Sequence, residues 1–531
     1  MAINRPRRRG RPQTVLPLHS SSTRSGVSCW YCDFKIHTFN EALFSLGRRY
    51  SRFIKMWFTV GAAFSLVTLT GVSLMLLWDS TDALTLPLRT SGSGVNGLLQ
   101  RWLFGTTFLF PRSVSILDAS SMIISTMLSV GVHEFGHGIA AASEGLRIEY
   151  IAVFLAICFP GALVAFDYDW LQSLPQSSAL RIYCAGIWHN ITFSAACFLT
   201  LISLPVILHP FYLYGQGPVV LAVPKVSPLY GYLSPYDVIV SVDGSNIKSP
   251  HEWINIMANY DSQMLPEPSV TKGIQTFEAL SHIKGYCVPD NWIKASSTSC
   301  GDELADFVYW PCNNSRPVFD NIRDEMNKSE SKHCLIARDV VKCKKCWSWS
   351  DSNFNGSIGR VCDCLENETC MTPVQIPGMS WVEVAYSSPY SSQCSDYRSN
   401  ASTYSENLGF DSTFCGGTFV FIGDALSLAH SIHLSAYQPR WIFTAYMAHM
   451  PDVLEKFLAC CFRISASLAL VNSLPVFFLD GESILEIALC YFTFLKRRPR
   501  LRFLRFCLVG GTILSIISFS RLLYFMIVAR E

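Results

Sequence analysis

The chain has 531 residues, 50% of them hydrophobic and 15% charged, with a formal net charge of +2 and a mean hydropathy of +0.26. That balance excludes an ordinary soluble multidomain protein and points to extensive burial in lipid. The 42 basic and 40 acidic residues nearly cancel, and the basic ones lie in termini and loops rather than on one face, so no nucleic-acid partner is expected.

Residues 1–56 read as a basic cytosolic tail. Arg5, Arg7, Arg8, Arg9 and Arg11 have no apolar run beside them, so they do not read as a cleaved signal peptide, and the tail is expected to touch anionic lipid. The Cys29-Trp30-Tyr31-Cys32 pattern within it lacks the strand-helix context of a redox or metal motif. Residues 57–78 form the first span. Arg52 and Lys55 precede it and Asp79 follows, which places the N-terminus in the cytosol.

Residues 115–142 are the second apolar stretch and return to the cytosol, carrying His133-Glu134-Phe135-Gly136-His137 near that end. Residues 148–166 are apolar too, but Pro160 and Gly161 interrupt them. A full crossing there would invert everything downstream, so a re-entrant hairpin is expected, its backbone satisfied by protein or a wet cavity. Residues 180–209, led by Arg181, make the third span and end in the lumen.

The lumenal portion opens with an alternating apolar run from Tyr236 to Val242 that meets the Asp243-Gly244 turn, which is hairpin chemistry. Residues 215–285 are read as one module and residues 286–440 as a cysteine-rich insertion. Eleven of the twenty cysteines fall between Cys287 and Cys415, beside N-x-S/T acceptors at Asn313, Asn327, Asn355, Asn367 and Asn400. Disulfides and glycans in an oxidising compartment are expected, with the odd thiol left free, paired elsewhere or joined to another chain. Cys343, Cys346, Cys362 and Cys364 have spacings that suit a structural zinc, but disulfides fit a lumenal segment better. His430 and His433 are expected on one face of an amphipathic surface helix.

From residue 455 the chain is apolar again, running through Asn472-Ser473-Leu474-Pro475 to Asp480-Gly481 as a fourth span within a core segment 455–495. Lys496, Arg497, Arg498, Arg500 and Arg502 follow; they make the next turn cytosolic, and residues 503–528 are the last span. The expectation is five spans and a re-entrant hairpin.

His133 and His137 are four apart, so on a helix they present two imidazoles to one metal ion. Ionisable groups inside an apolar span are costly, which favours function over a bland polar patch. Zinc catalysis needs a third protein ligand and one open position. Asp480 is the best candidate, because its span runs the same way as that of His133 and brings it to a similar depth. Glu134 then serves as general base, and Asn190 is the candidate to share charge on the tetrahedral intermediate, with an interhelical hydrogen bond as its competing reading.

These segments resemble the site-2 protease family of intramembrane metalloproteases. Its H-E-x-x-H helix matches His133 to His137, and its N-x-x-P-x-x-x-x-D-G segment matches Asn472 to Gly481. Its A-G-P-x-x-N segment corresponds to Ala185-Gly186-Ile187-Trp188-His189-Asn190, with Ile187 where the family has proline. The resemblance implies a polytopic α-helical membrane protein: a helical intramembrane metalloprotease core that holds one Zn2+ on His133, His137 and Asp480. It further implies a split PDZ-like module around the cysteine-rich lumenal α/β insertion. It implies a multi-pass location in the Golgi or endoplasmic reticulum and substrates that are membrane-anchored transcription factors, cut first in the lumen by a site-1-type protease. The residues themselves support only peptide-bond hydrolysis in or near the bilayer. Two rivals stand beside it: a catalytically silent homologue that binds membrane segments, which leaves Glu134 unexplained, and a receptor using the cysteine-rich domain, which leaves the membrane motifs unexplained.

Overall fold

A computed structural model of the protein describes residues 27–28, 31–38, 40–85, 116–156, 159–264, 284–296, 300, 304–310, 332–346, 364–374, 376, 379–391, 394, 415–492 and 496–528. The N-terminal arginines, Cys29, Cys362 and the acceptors Asn313, Asn327, Asn355 and Asn400 lie outside the described residues. The chain divides into two compact units, Met1–Leu204 with Leu454–Glu531, and Pro205–Val453.

The first unit is built on α1 (Asn40–Arg49), α2 (Ser51–Thr85), α3 (Ile116–Glu144), α4 (Gln176–Leu208), α5 (Met450–Asn472), α6 (Asp480–Phe492) and α7 (Arg497–Val528). Among the described residues, three segments are long and apolar enough to cross a membrane: Ser51–Asp79, Gln176–Leu208 and Arg497–Arg521. Their large apolar side chains also face outward, as Val67, Leu74, Val206 and Phe506 do, which in water would be costly and in lipid is not. The expected second and fourth spans are the helices α3 and α5, of 29 and 23 residues. They fall outside that group of three. The first carries Asp118, His133, Glu134 and His137, and the second Asp452, Glu455, Lys456 and Arg463.

Small residues let these helices approach one another. Phe58 of α2, Ala140 and Ala141 of α3, and Ile182 and Ala185 of α4 share one buried cluster. Ala62, Leu69, Cys184, Ile187, Ala469 and Ile484 form another that draws in α5 and α6.

The segment expected as a re-entrant hairpin is a strand hairpin, β3 (Ile148–Ala156) and β4 (Phe159–Phe166), with Phe154 opposite Gly161. Its partner comes from the stretch read as a plain tail. β1 (Val27–Ser28) and β2 (Tyr31–Ile36) extend it to a four-stranded antiparallel sheet in the order β1-β2-β3-β4, with Tyr31 opposite Ala156 and Ile36 opposite Ile151. Without β2, the outer backbone groups of β3 would lack partners. Asn40 Nδ2 donates to the Glu149 carbonyl at 2.7 Å, pinning the start of α1 to the hairpin.

The second unit contains two sheets. β5 (Tyr212–Ala222), β6 (Val238–Val242) and β7 (Ser245–Asn246) begin the first. β8 (Tyr286–Pro289), β9 (Ala305–Tyr309), β10 (His333–Leu335) and β11 (Glu368–Pro373) make the second, in the order β10-β9-β11-β8. The chain then returns to the first sheet with β12 (Ser380–Ser387), β13 (Gly416–Gly423) and β14 (His433–Pro439), completing the order β13-β12-β6-β5-β14 with β7 on β6. Strands β12 to β14, which the sequence reading places in the insertion, therefore belong to the sheet of residues 212–246; Val384 pairs with Val242. The helices Pro250–Met264 and Ala425–His430 cover this sheet, burying Trp253, Met257 and Leu428 against Val220, Ile239 and Val384.

His430 and His433 do not share a helix. His430 closes Ala425–His430, whereas His433 opens β14 opposite Ala222. The three-residue interval between them suits a helical face, but pairing with β5 prevails. Disulfides join Cys287 to Cys364, Cys300 to Cys334, Cys346 to Cys370 and Cys394 to Cys415, which removes Cys346 and Cys364 from any structural zinc set, and Cys343 is a free thiol. Asn367 is exposed in the turn before β11.

Candidate metal centre

Helix α3 places His133 and His137 one turn apart on the face that packs against α4. Their Nε2 atoms are 3.2 Å apart. Asp480 Oδ2 lies 3.1 Å from His133 Nε2 and 3.3 Å from His137 Nε2, so the three residues form a group able to hold a metal ion.

Asp480 reaches this point by a route the sequence reading does not contain. The span expected to run through it stops at Asn472, and Asp480 is the first residue of α6. Between them Pro475 supplies no backbone N–H, and Phe478 adopts a φ of 71°. The tight return requires glycine at 481, where a Cβ would lie 2.0 Å from the Leu474 carbonyl oxygen. The Phe478 N–H donates to Glu482 Oε2 at 3.0 Å across the turn. At a helix N-terminus, aligned peptide dipoles favour an anion. Asp480 thus gains an anchored position that the middle of a span would not provide.

Helix α4 lines the other side with three residues spaced by four. The Ile182 carbonyl oxygen is 2.8 Å from His137 Nδ1, and the Asn190 amide nitrogen is 3.1 Å from His133 Nδ1. Gly186, midway, allows the approach: a Cβ there would sit 2.4 Å from His137 Nε2 and 2.5 Å from His133 Cε1. Asn190, expected to face a reaction intermediate, is fully buried and directed at His133. Glu134 lies on the adjoining face of α3, where its Oε2 accepts the Val164 N–H of β4 at 3.0 Å.

The donor set fits zinc. The carbonyl of Ile182 accepts a proton carried on His137 Nδ1, and in the neutral imidazole that a metal ligand requires, Nε2 then keeps its lone pair. That lone pair faces the other imidazole and Asp480 Oδ2, a buried oxygen with no hydrogen-bond donor. Such a convergence of lone pairs is repulsive unless a cation occupies it. Ligand bonds of roughly 2.0 Å in a tetrahedron place donor atoms roughly 3.3 Å apart, which the observed separations match. Two nitrogens and one oxygen suit zinc better than a hard all-oxygen ion.

All five polar residues of this site, His133, Glu134, His137, Asn190 and Asp480, are candidates in the sequence; Ile182 and Val164 are not, and Gly186 enters there only through the A-G-P-x-x-N resemblance. The four-residue spacing from Ile182 to Asn190 is a usable signal for Ile182 and Gly186. Val164 lies on β4, whose approach to Glu134 no local pattern marks.

A helical, membrane-embedded metallopeptidase core is the class these features define. Residues 121–517 match Peptidase family M50. The chain is also 42% identical over 509 residues to a protein of Arabidopsis thaliana described as "Membrane-bound transcription factor site-2 protease homolog", covering 93% of this chain and 92% of that one. The chain belongs to peptidase family M50, the site-2 protease family, whose members are zinc-dependent membrane proteases.

Proposed function

We propose that the protein is an intramembrane zinc endopeptidase that cuts a membrane-spanning segment of its substrate. The observation that carries this is the convergence of His133, His137 and Asp480 around an unpartnered buried oxygen, with Glu134 alongside. His133, His137 and Asp480 would hold the ion, which when bound supplies a Lewis acid and activates water. Glu134 takes the proton of the attacking water and passes it to the departing amine. The Val164 amide holds that carboxylate in a fixed direction.

The description of the Arabidopsis thaliana relative supports membrane-anchored transcription factors as substrates; a location in the Golgi or endoplasmic reticulum and a first lumenal cleavage by a site-1-type protease belong to the same proposal. Four disulfides in the second unit support a lumenal placement for it. We read its six-stranded sheet with the two covering helices as the split PDZ-like module, and its exposed Asn367 as a glycan acceptor.

The deciding experiment expresses Glu134→Gln in cells with a membrane-tethered reporter. Cleavage should fall by roughly a hundred- to ten-thousand-fold, the range for losing a general base, while bound zinc is retained. Unchanged release would remove Glu134 from the mechanism.

A further inference from the structure

Asn190 sits where two hydrogen-bond chains meet, buried behind His133. It is 0% exposed, as is Ser465 of α5. Its amide nitrogen lies 3.1 Å from His133 Nδ1, and its amide oxygen 3.3 Å from Ser465 Oγ. Ser465 Oγ donates to the Asn190 backbone carbonyl at 3.0 Å.

The protonation of His133 follows from its metal-ligand role. If Nε2 offers its lone pair to the ion, Nδ1 carries the proton and needs an acceptor. The two ends of a carboxamide have the same shape, so a half-turn about the terminal bond exchanges nitrogen and oxygen without moving any heavy-atom position. With the oxygen toward His133, every donor has an acceptor. His133 Nδ1–H donates to Asn190 Oδ1, Asn190 Nδ2–H donates to Ser465 Oγ, and the Ser465 hydroxyl donates to the Asn190 carbonyl. The opposite orientation sets an N–H against an N–H in a buried site.

We infer that Asn190, braced by Ser465, is a positioning residue that fixes the tautomer and ring orientation of His133, and is not a donor to the oxyanion. The Ile182 carbonyl performs the same service for His137. One helix, α4, thereby sets both imidazoles, while Asp480 arrives from α6. This rests on the zinc site proposed above.

The test uses the purified full-length protein in detergent, with zinc affinity measured by chelator competition and turnover followed separately. Asn190→Leu keeps the volume and removes the acceptor; it should weaken zinc binding about 10- to 100-fold, the usual effect of losing a ligand's outer partner. Asn190→Asp keeps an acceptor for Nδ1–H and should restore affinity to within a few-fold of the parent protein. Ser465→Ala should give a smaller loss in the same direction. Asn190→Leu with parental zinc affinity but reduced turnover would instead make Asn190 an oxyanion donor and overturn the inference. Asn190→Asp binding zinc no better than Asn190→Leu would overturn it as well, since packing alone would then explain both. Parental protein with no zinc would count against the zinc site itself, an outcome distinct from either.

Discussion

The two units use cysteine in opposite ways. In the first, Cys184, Cys197, Cys460 and Cys461 are buried and free, packed as small apolar side chains among helices. In the second, eight described cysteines are paired. The units also differ in how polar groups are held. The first gathers its two buried histidines and Asn190 around one site and holds Glu144 apart from it with Arg181 and Lys55, whereas the second links its polar groups in a network. There Lys284 Nζ contacts Asp243 at 2.5 Å and the Trp381 carbonyl at 2.6 Å, Lys345 pairs with Glu383 at 3.3 Å, and Tyr286 donates to Glu383. Burial, with the Glu383 carboxylate beside it, pushes the Tyr286 hydroxyl well above the usual phenol range, so it remains a donor at physiological pH. One unit rests on close helix approach around the proposed metal site, and the other on covalent links and strand pairing.

The sharpest test of that contrast is Gly186→Ala. Its methyl group would overlap both imidazoles, so bound zinc and cleavage should both fall by more than tenfold, while disulfide mapping of the second unit stays unchanged. Parental zinc content in this variant would show that α4 does not set the spacing of the histidines. A reductant should do the reverse: limited proteolysis should open sites between residues 284 and 440 while zinc stays bound. Zinc release under reduction would erase the distinction between the units.

Smaller effects refine it. Replacing Cys346 and Cys370 together by serine opens a link spanning 24 positions and should lower the stability of the second unit by about 2–4 kcal/mol, read as the chemical-denaturation midpoint. Lys284→Ala leaves two acceptors without their cation and should cost about 1–3 kcal/mol in the same assay. Cys343→Ser should change stability by less than about 0.5 kcal/mol, yet remove the thiol among the described residues of this unit that a maleimide labels under non-reducing conditions.

Much of the site was legible in the residues. His133 and His137 declare a shared helical face by spacing, and Glu134 between them has no comfortable structural purpose in an apolar run. Asp480 is legible by its depth along the chain, but the span it was expected to lie in is broken between Asn472 and Asp480. Pro475 and Gly481 mark the break that the structure shows, and they were visible in advance as residues that end helices and permit close turns. Other features had no such mark. Nothing in Tyr31 to Ile36 announces a partner at Ala152 or Ala156, more than a hundred positions away. Likewise the interval between His430 and His433 fits a helix as well as it fits a helix end followed by a strand.

By itself, the sequence determined that this is a membrane protein with a two-histidine, one-glutamate motif on a helix and a cysteine-dense segment elsewhere, because composition and period express local physics. The tertiary structure decided which groups complete the site: Asp480 at the start of α6, the Ile182–Gly186–Asn190 face of α4, and Val164 on β4, the edge strand of the sheet. These contacts join positions tens to hundreds of residues apart. Such contacts follow from helices packing at short range and strands seeking partners, which no window of neighbouring residues encodes.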